Sequence, residues 1–351
     1  MSAAIATMHQ AIPDTRMYAE AAQAPDVIAG QLHRNADVVR GLAAELRRTR
    51  PRAVVTCARG SSDNAATCAR YLIETRLGLL TSSAAPSISS VYGAQADLAD
   101  TVMLAISQSG ASPDLLATTE AARRAGARVV ALVNVEDSPL ARLADVTLPL
   151  AAGEETSVAA TKSYLASLSA VLQLVAEWSD DDELRRALHE APPALQRAWA
   201  LDWAAALEPL REAGSAYVVA RGVGLGIAQE WALKLKETCR LHAEAQSAAE
   251  VRHGPMALVQ TGFPVLVFAQ HDETHDGVVA LAGELAARGA RTLLAGGEAA
   301  GAVSLPVVAS HPALEPLLAT QAFYRFANAL ALARGLDPDR PAHLHKITRT
   351  L

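Results

Sequence analysis

The sequence predicts an α/β protein of two tandem units, each a parallel sheet flanked by helices in a three-layer αβα arrangement. Three observations carry that expectation. Short β-branched runs alternate with amphipathic helical stretches along most of the 351 residues, the pattern of βα units feeding a parallel sheet. Segments of the first half return in the second half at a near-constant spacing. Hydrophobic residues make up 51% and charged residues 19%, which suits a large buried core and disfavours disorder. Aromatics are only 4%, so that core is built mainly from Ala, Leu and Val.

Taken in order, residues 1–50 read as a helical lead-in: Pro25 marks a helix start, and QLHRNADVVRGLAAELRRTR runs to Pro51. Residues 51–178 form the first unit. Its strands are AVVTCA (53–58), TVMLAIS (101–107), RVVALVN (128–134) and VTLPL (146–150), with NAATCARYLIET and PDLLATTEAARRAG as helices between them. Residues 179–214 are a helical connection. There Ser179 and Asp182 resemble a capping box, the acidic run 180–183 reads as a helix N-terminus facing water, and Pro192-Pro193 breaks the helix. Residues 215–335 form the second unit, and residues 336–351 a tail carrying Lys346. In the second unit AYVVARG (216–222) echoes VVTCARG (54–60), and KET (236–238) echoes IET (73–75). PVLVFAQ (264–270) echoes TVMLAIS, and RGARTL (288–293) echoes AGARVV (125–130). The offset is 162 for the Ala-Arg-Gly triplet and 163 for the later segments. No low-complexity linker separates the copies, so they are expected to pack into one body.

Several function classes are disfavoured. With 31 Lys and Arg against 37 Asp and Glu, the net charge of -6 gives no excess of cations for a nucleic-acid backbone. No run of 18 apolar residues is present to span a membrane, and the N-terminus lacks a signal-peptide pattern. Cys57, Cys68 and Cys239 are scattered, forming neither a disulfide framework nor a zinc motif, and no metal-ligand cluster is evident. A cytoplasmic protein without cofactor or metal is expected.

The chemistry-bearing segments sit at strand ends. Ser107-Gln108-Ser109-Gly110-Ala111-Ser112-Pro113 joins a strand to a helix, with Ser112 as N-cap and Pro113 at the first helical position. Free helix N–H groups and clustered hydroxyls suit a phosphate monoester, though serine-rich turns are also common as plain connections. The repeat sharpens the choice. The equivalent segment of the second copy, Gln270-His271-Asp272-Glu273-Thr274-His275-Asp276, has lost every serine and gained carboxylates, so only one copy looks specialised for an anion. Arg59-Gly60-Ser61-Ser62 follows the first strand, at the C-terminal edge where open α/β sheets bind ligands. Its counterpart, Gly222-Val223-Gly224-Leu225-Gly226, is a GxGxG string. The dinucleotide fingerprint is nonetheless incomplete, with Ile227 in the third-glycine region and no clear acidic ribose ligand. In the second copy Lys234 and Glu237 share a helix face, an arrangement that serves a surface ion pair or acid–base chemistry. His253 precedes a Gly-Pro turn.

Five ordered motifs give the chain a specific resemblance. They are SQSGAS (107–112), SVAATKS (157–163), ALKLKET with HAEA (232–245), EVRHGPMALV (250–259) and DPDRPAHLHKIT (337–348). Together the sequence resembles the sugar isomerase (SIS) superfamily, in particular its aminosugar-phosphate isomerases and stand-alone deaminases. The resemblance spans residues 54–351. It implies two SIS-type units and, as the activity, conversion of glucosamine 6-phosphate to fructose 6-phosphate and ammonia. A protein without the glutamine-hydrolysing domain of the synthases in this superfamily is expected, since no cysteine precedes Cys57 in this sequence. A deglycase acting on fructosamine-type phosphates, another phosphosugar isomerase, and a non-catalytic sugar-phosphate sensor remain alternatives.

The resemblance also implies roles. Ser61, Ser62, Ser107, Gln108, Ser109 and Ser112 would hold the phosphate and nearby hydroxyls, and Val158 with the Ala159-Ala160-Thr161 backbone would line the sugar. Ala160 stands where the synthases commonly have serine, and Arg59 where they usually have cysteine. His253, from the neighbouring subunit of a homodimer, would open the ring; Glu237 would shuttle the proton between C2 and C1, tuned by Lys234. Lys346 would form a Schiff base, provided burial or a cationic neighbour frees its amine; His343 and His345 flank it.

Overall fold

The structure is a computed structural model and describes residues 15–346. Residues 1–14 of the lead-in and 347–351 of the tail, including Ile347 and Thr348 of the last motif, lie outside the described residues.

Helix α1 (Arg16–Ala22) opens the described chain and α2 (Ala24–Thr49) follows at once. Pro25 sits in the first turn of α2, Asp26 beside it and Arg47 and Arg48 in the last turn match the helix dipole, and Arg50 ends the helix in the left-handed conformation. The first sheet then forms from β1 (Ala53–Cys57), β2 (Thr81–Ser83), β3 (Thr101–Ser107), β4 (Arg128–Val133) and β5 (Val146–Pro149). The crossovers are α3 (Ser61–Leu77), α4 (Pro86–Ser90), α5 (Pro113–Arg124) and α6 (Pro139–Leu143). Helices α7 (Lys162–Trp178), α8 (Asp182–His189), α9 (Ala191–Trp199) and α10 (Leu207–Arg211) lead to the second sheet. That sheet contains β6 (Ser215–Ala220), β7 (His242–Ser247), β8 (Pro264–Phe268), β9 (Arg291–Ala295) and β10 (Val303–Leu305), with α11 (Gly224–Cys239) and α12 (His275–Ala287) between strands. Helix α13 (Glu315–Ala333) closes the fold before the tail.

Both sheets are wholly parallel, in the orders β2-β1-β3-β4-β5 and β10-β9-β8-β6-β7. Read from the other edge, the second is the first with each strand replaced by its counterpart, so the sequence duplication is a duplication of topology. The central strands β3 and β8 are buried at every residue, as strands covered by helices on both faces must be. The main core joins the inner faces of both sheets through α7, α11 and α13. It includes Val54, Leu104, Leu168, Trp231, Leu266 and Phe323, and Trp231 and Phe323 stack with ring centroids 4.8 Å apart. Two smaller clusters fill the outer faces. No helix among the described residues is long and apolar enough to cross a membrane.

Two local readings are corrected. Ser179 is no capping residue of α8: it ends α7, and its hydroxyl donates to the Val175 carbonyl. Asp180 takes a left-handed backbone (φ 58°), which advances the cap by two residues to Asp181, whose carboxylate accepts from Leu184 N at 2.9 Å. Asp181 therefore does not face water with the rest of the acidic run; it also pairs with Arg76. The GxGxG string, in turn, serves packing. A Cβ on Gly226 would lie 2.4 Å from Cys68 Sγ and 2.6 Å from the Asn64 carbonyl, so the glycine lets α11 press against α3.

Candidate active site

In each sheet the strand order reverses between the first and third strands of the unit, at β1/β3 and at β6/β8. Loops that leave this point diverge and open a crevice at the C-terminal edge. At β1, Gly60 turns the chain with φ 56°, so that Ser61 and Ser62 open α3. At β3, Ser107 ends the strand and its hydroxyl accepts from Gly110 N at 3.0 Å, curling the loop back. Gly110 has φ 62° and packs so closely that a Cβ would lie 2.3 Å from Ser138 Oγ. Ser112 is the N-cap of α5 by position, yet its side chain makes no capping bond and remains available to a ligand. Pro113 follows at the first helical position.

These loops form one wall of a cavity of about 650 Å³. Ser61, Ser62, Ser107, Gln108, Ser109 and Ser112 all line it. Another part of the lining comes from Val158 and Ala160, while Ser163, Tyr164 and Ser167 contribute from α7. Ala159, expected beside them, is instead fully buried and does not line the cavity; its carbonyl accepts from Ser157 Oγ at 3.1 Å, turning it inward. Glu237 enters from α11, and Leu344, His345 and Lys346 enter from the tail. His343 is exposed and outside the lining. His253, at the end of the short 3₁₀ turn Glu250–His253, is also exposed and does not reach the cavity of its own chain. A smaller groove of about 390 Å³ between α2, α7 and α8 carries His33 and Arg185 but none of these groups.

Charge in the cavity is arranged by buried pairs. Lys234 is fully buried, with Nζ 2.5 Å from Glu237 Oε2, 3.0 Å from Ser61 Oγ and 3.4 Å from Glu230 Oε1. Burial alone would push its pKa down, but the Glu230 and Glu237 charges outweigh that and hold it above the ordinary lysine value. Glu230 is buried as well and is raised by burial, with Lys234 and hydrogen bonds opposing. It accepts from Asn64 Nδ2 at 2.9 Å, Tyr324 OH at 2.9 Å and Ser61 Oγ at 3.2 Å, so both units and α13 meet on one carboxylate. Glu237, at 21% side-chain exposure, is the member of this triad that faces the cavity.

On the tail side, Lys346 Nζ lies 3.0 Å from Glu155 Oε2 and 2.8 Å from the Ser157 carbonyl. Where the expected route to a free amine asked for burial or a cationic neighbour, Lys346 faces a carboxylate. Glu155 is buried and accepts from Thr161 N at 3.0 Å, Ser163 N at 3.1 Å and Ser163 Oγ at 2.6 Å. Burial pushes Glu155 up, but the Lys346 charge and these donors together hold it below the usual carboxylate range.

Sequence reasoning missed Glu155 and Glu230 as members of the site. Glu230 had a signal, since Glu230, Lys234 and Glu237 lie at i, i+4 and i+7 on one helix face. Glu155 had only its place two residues ahead of the SVAATKS motif. Asp114, whose Oδ2 accepts from Arg59 Nε at 2.8 Å at the rim of the cavity, had none. Chemically, the cavity offers hydroxyls and a helix N-terminus for an anion at one wall. Elsewhere it offers the Glu237 carboxylate paired with a buried lysine, and the Lys346 amine paired with a buried carboxylate.

Comparisons with known proteins agree with this geometry. The SIS domain family model matches residues 48–177 and 209–300. A glutamine–fructose-6-phosphate aminotransferase (isomerizing) of Aeropyrum pernix is 39% identical over 82% of this chain and 49% of its own length. That of Thermococcus kodakarensis is 33% identical over 94% of this chain and 57% of its own. The chain thus spans about half the length of these curated relatives. A crystal structure described as a putative phosphosugar isomerase from Silicibacter pomeroyi matches with a TM-score of 0.89 and 43% identity, over 93% of this chain and all (100%) of that one. A glucosamine-6-phosphate deaminase from Thermotoga maritima matches with a TM-score of 0.77 over 96% of this chain and 100% of that one, but at 21% identity that is likeness of fold.

Proposed function

The chain belongs to the SIS domain family, and from that premise we propose that it deaminates glucosamine 6-phosphate to fructose 6-phosphate and ammonia. The observation that carries the reading is that one cavity joins the serine loop of the first sheet to Glu237 of the second and Lys346 of the tail. A phosphosugar needs those groups together: an anion hold for its tail and acid–base groups for its head.

In this reading Ser61, Ser62, Ser107, Gln108, Ser109 and Ser112 hold the 6-phosphate and adjacent hydroxyls. Val158 lines the sugar, and the buried Ala159 only shapes the loop that carries it. His253 reaches the cavity of a second copy in a homodimer and opens the ring, an imidazole being able to give and take protons near neutrality. Glu237 removes the proton from C2 of the open aldehyde and returns it to C1 through an enediol-type intermediate. Lys234 holds Glu237 by a hydrogen-bonded ion pair and aims it. The product is a C2 imine. Lys346 takes it over: its neutral amine adds to C2, ammonia leaves, and water then hydrolyses the new Schiff base to the ketone and free lysine. Lys346 Nζ is engaged by Glu155 and the Ser157 carbonyl, so this step requires those contacts to open first. The first unit binds, the second unit and tail transform, and residues 15–50 and 179–214 brace them.

The test is direct. Pure protein is incubated with glucosamine 6-phosphate, without glutamine, while ammonia and fructose 6-phosphate are followed together. Equal release of the two is expected. Turnover of a fructosamine 6-phosphate in place of glucosamine 6-phosphate moves the activity to a deglycase, and binding of both without turnover moves it to a sensor.

A further inference from the structure

The serine loop offers neutral donors for a phosphate. The guanidinium of Arg59 lies at the same wall, on the loop after β1, and lines the same cavity. Its Nε and Nη2 sit 2.8 and 2.6 Å from Asp114 Oδ2, in the first turn of α5. Asp114 has no side-chain exposure, and its other oxygen accepts from Leu115 N at 2.8 Å, so the carboxylate is tied to the helix whose N-terminus the serine loop forms. A guanidinium has five N–H donors, and the bonds to Asp114 use only its Nε edge. Arg59 remains 52% exposed, so its outer donors are free to meet a ligand. The buried carboxylate fixes the stem side of a planar fork and leaves the outer side at the cavity rim.

Resting on the phosphosugar reading above, we infer that Arg59 is a substrate-binding residue selecting the dianionic phosphate, with Asp114 as the positioning residue that aims it. A phosphate monoester carries nearly two charges at neutral pH, and a planar fork matches its oxygens in a way hydroxyls cannot. Ser107, Ser109 and Ser112 then supply shape, and Arg59 supplies the preference for charge. Without this contact the hydroxyl loop would discriminate poorly between a phosphorylated sugar and a neutral one, since both offer acceptors.

The test measures binding separately from turnover. Fructose 6-phosphate and fructose are titrated calorimetrically into the native protein, Arg59→Gln, Arg59→Lys and Asp114→Asn, with thermal melts as folding control. Charge-assisted hydrogen bonds of this kind lead to an expected loss of about 10- to 100-fold in fructose 6-phosphate affinity for Arg59→Gln. Arg59→Lys should recover part of that loss, and fructose binding should stay unchanged. The native affinity should also weaken with added salt more steeply than that of Arg59→Gln. For Asp114→Asn, the expected signature is a raised KM at unchanged kcat and a shallower salt dependence, which a merely structural loss would not give. Equal fructose 6-phosphate affinity in native protein and a folded Arg59→Gln variant overturns the inference and leaves the phosphosugar reading standing. Arg59-dependent binding with no ammonia release from glucosamine 6-phosphate keeps the inference and overturns the deaminase reading. Failure of the native protein to bind any phosphosugar overturns both.

Discussion

Lys234 is the side chain on which the acid–base triad turns. It is a single buried cation between Glu230 and Glu237, so its removal strands the Glu230 carboxylate where water cannot reach it and leaves Glu237 without its partner. Lys234→Ala should cost roughly 3–5 kcal/mol of stability in a urea titration, the usual result of breaking a buried ion pair from one side. Adding Glu230→Gln to that variant should restore part of it, because one stranded charge is then gone; no restoration would mean that Glu230 is neutral in the native state. Glu237→Gln asks a different question. It keeps the shape of the cavity and removes the proposed base, so solvent deuterium exchange at C1 and C2 should fall by about 10²–10⁴-fold while phosphosugar affinity holds. Continued exchange would assign the proton shuttle elsewhere. For Lys346, borohydride added during turnover should fix sugar to the chain in the native protein and fail to do so in Lys346→Met; trapping in neither would mean that water attacks the first imine directly.

At the scale of elements, contacts between loops and helices decide whether the cavity exists. The Glu155–Lys346 pair ties the tail to the 155–161 loop, and its pH dependence has a definite sign. Glu155 is held below its ordinary value of 4.5 in the folded chain. Its contribution is thus complete above that pH and is lost as pH falls through the lowered folded value. The gap in melting temperature between native protein and Lys346→Met should be widest at neutral pH and should close on acidification below about 4.5; a gap that stays constant would show that the pair adds no linked stability. Helix against helix, Gly226→Ala places a methyl on Cys68 and on the Asn64 carbonyl. Overpacking of this kind costs about 1–3 kcal/mol in chemical denaturation. Because Ser61 and Asn64 on α3 meet Glu230 on α11, Gly226→Ala should also perturb the site itself. The elements were well marked in the sequence, since β-branched runs and helical periodicity are local signals, and so was the Lys234–Glu237 pair at i,i+3. The cap of α8 was misread because Ser179 and Asp181 both suit a cap, and nothing local announced the left-handed turn at Asp180. Arg59 with Asp114, 55 residues apart, and Lys346 with Glu155, 191 apart, were invisible as pairs, because burial of a carboxylate is decided by the assembled fold.

For the molecule as a whole, the duplication was legible and its consequence was not. The offset of 162–163 residues foretold two copies, and the sheets share one strand order. What the offset does not contain is the cross-copy bonding at Glu230 that turns two crevices into one specialised site. His253 is exposed and away from its own cavity, which makes assembly part of the proposed chemistry. Mixing inactive Glu237→Gln with inactive His253→Ala should then restore up to about a quarter of native activity, through mixed dimers holding one intact site; no recovery under subunit exchange would place the ring-opening group within one chain. The two extremes of the described chain are also knotted to the same region. Asp339 caps the start of α1 through Arg16 N and Met17 N, each at 2.8 Å, and Glu20 on α1 holds the loop at Thr156 and Ser157. The Asp339 contacts bridge more than 300 residues of chain and those of Glu20 more than 130, and long-range closure is the slow part of folding. A growing polypeptide therefore carries its serine loop early but cannot shut the pocket around it until the segment bearing Asp339 and Lys346 has been made.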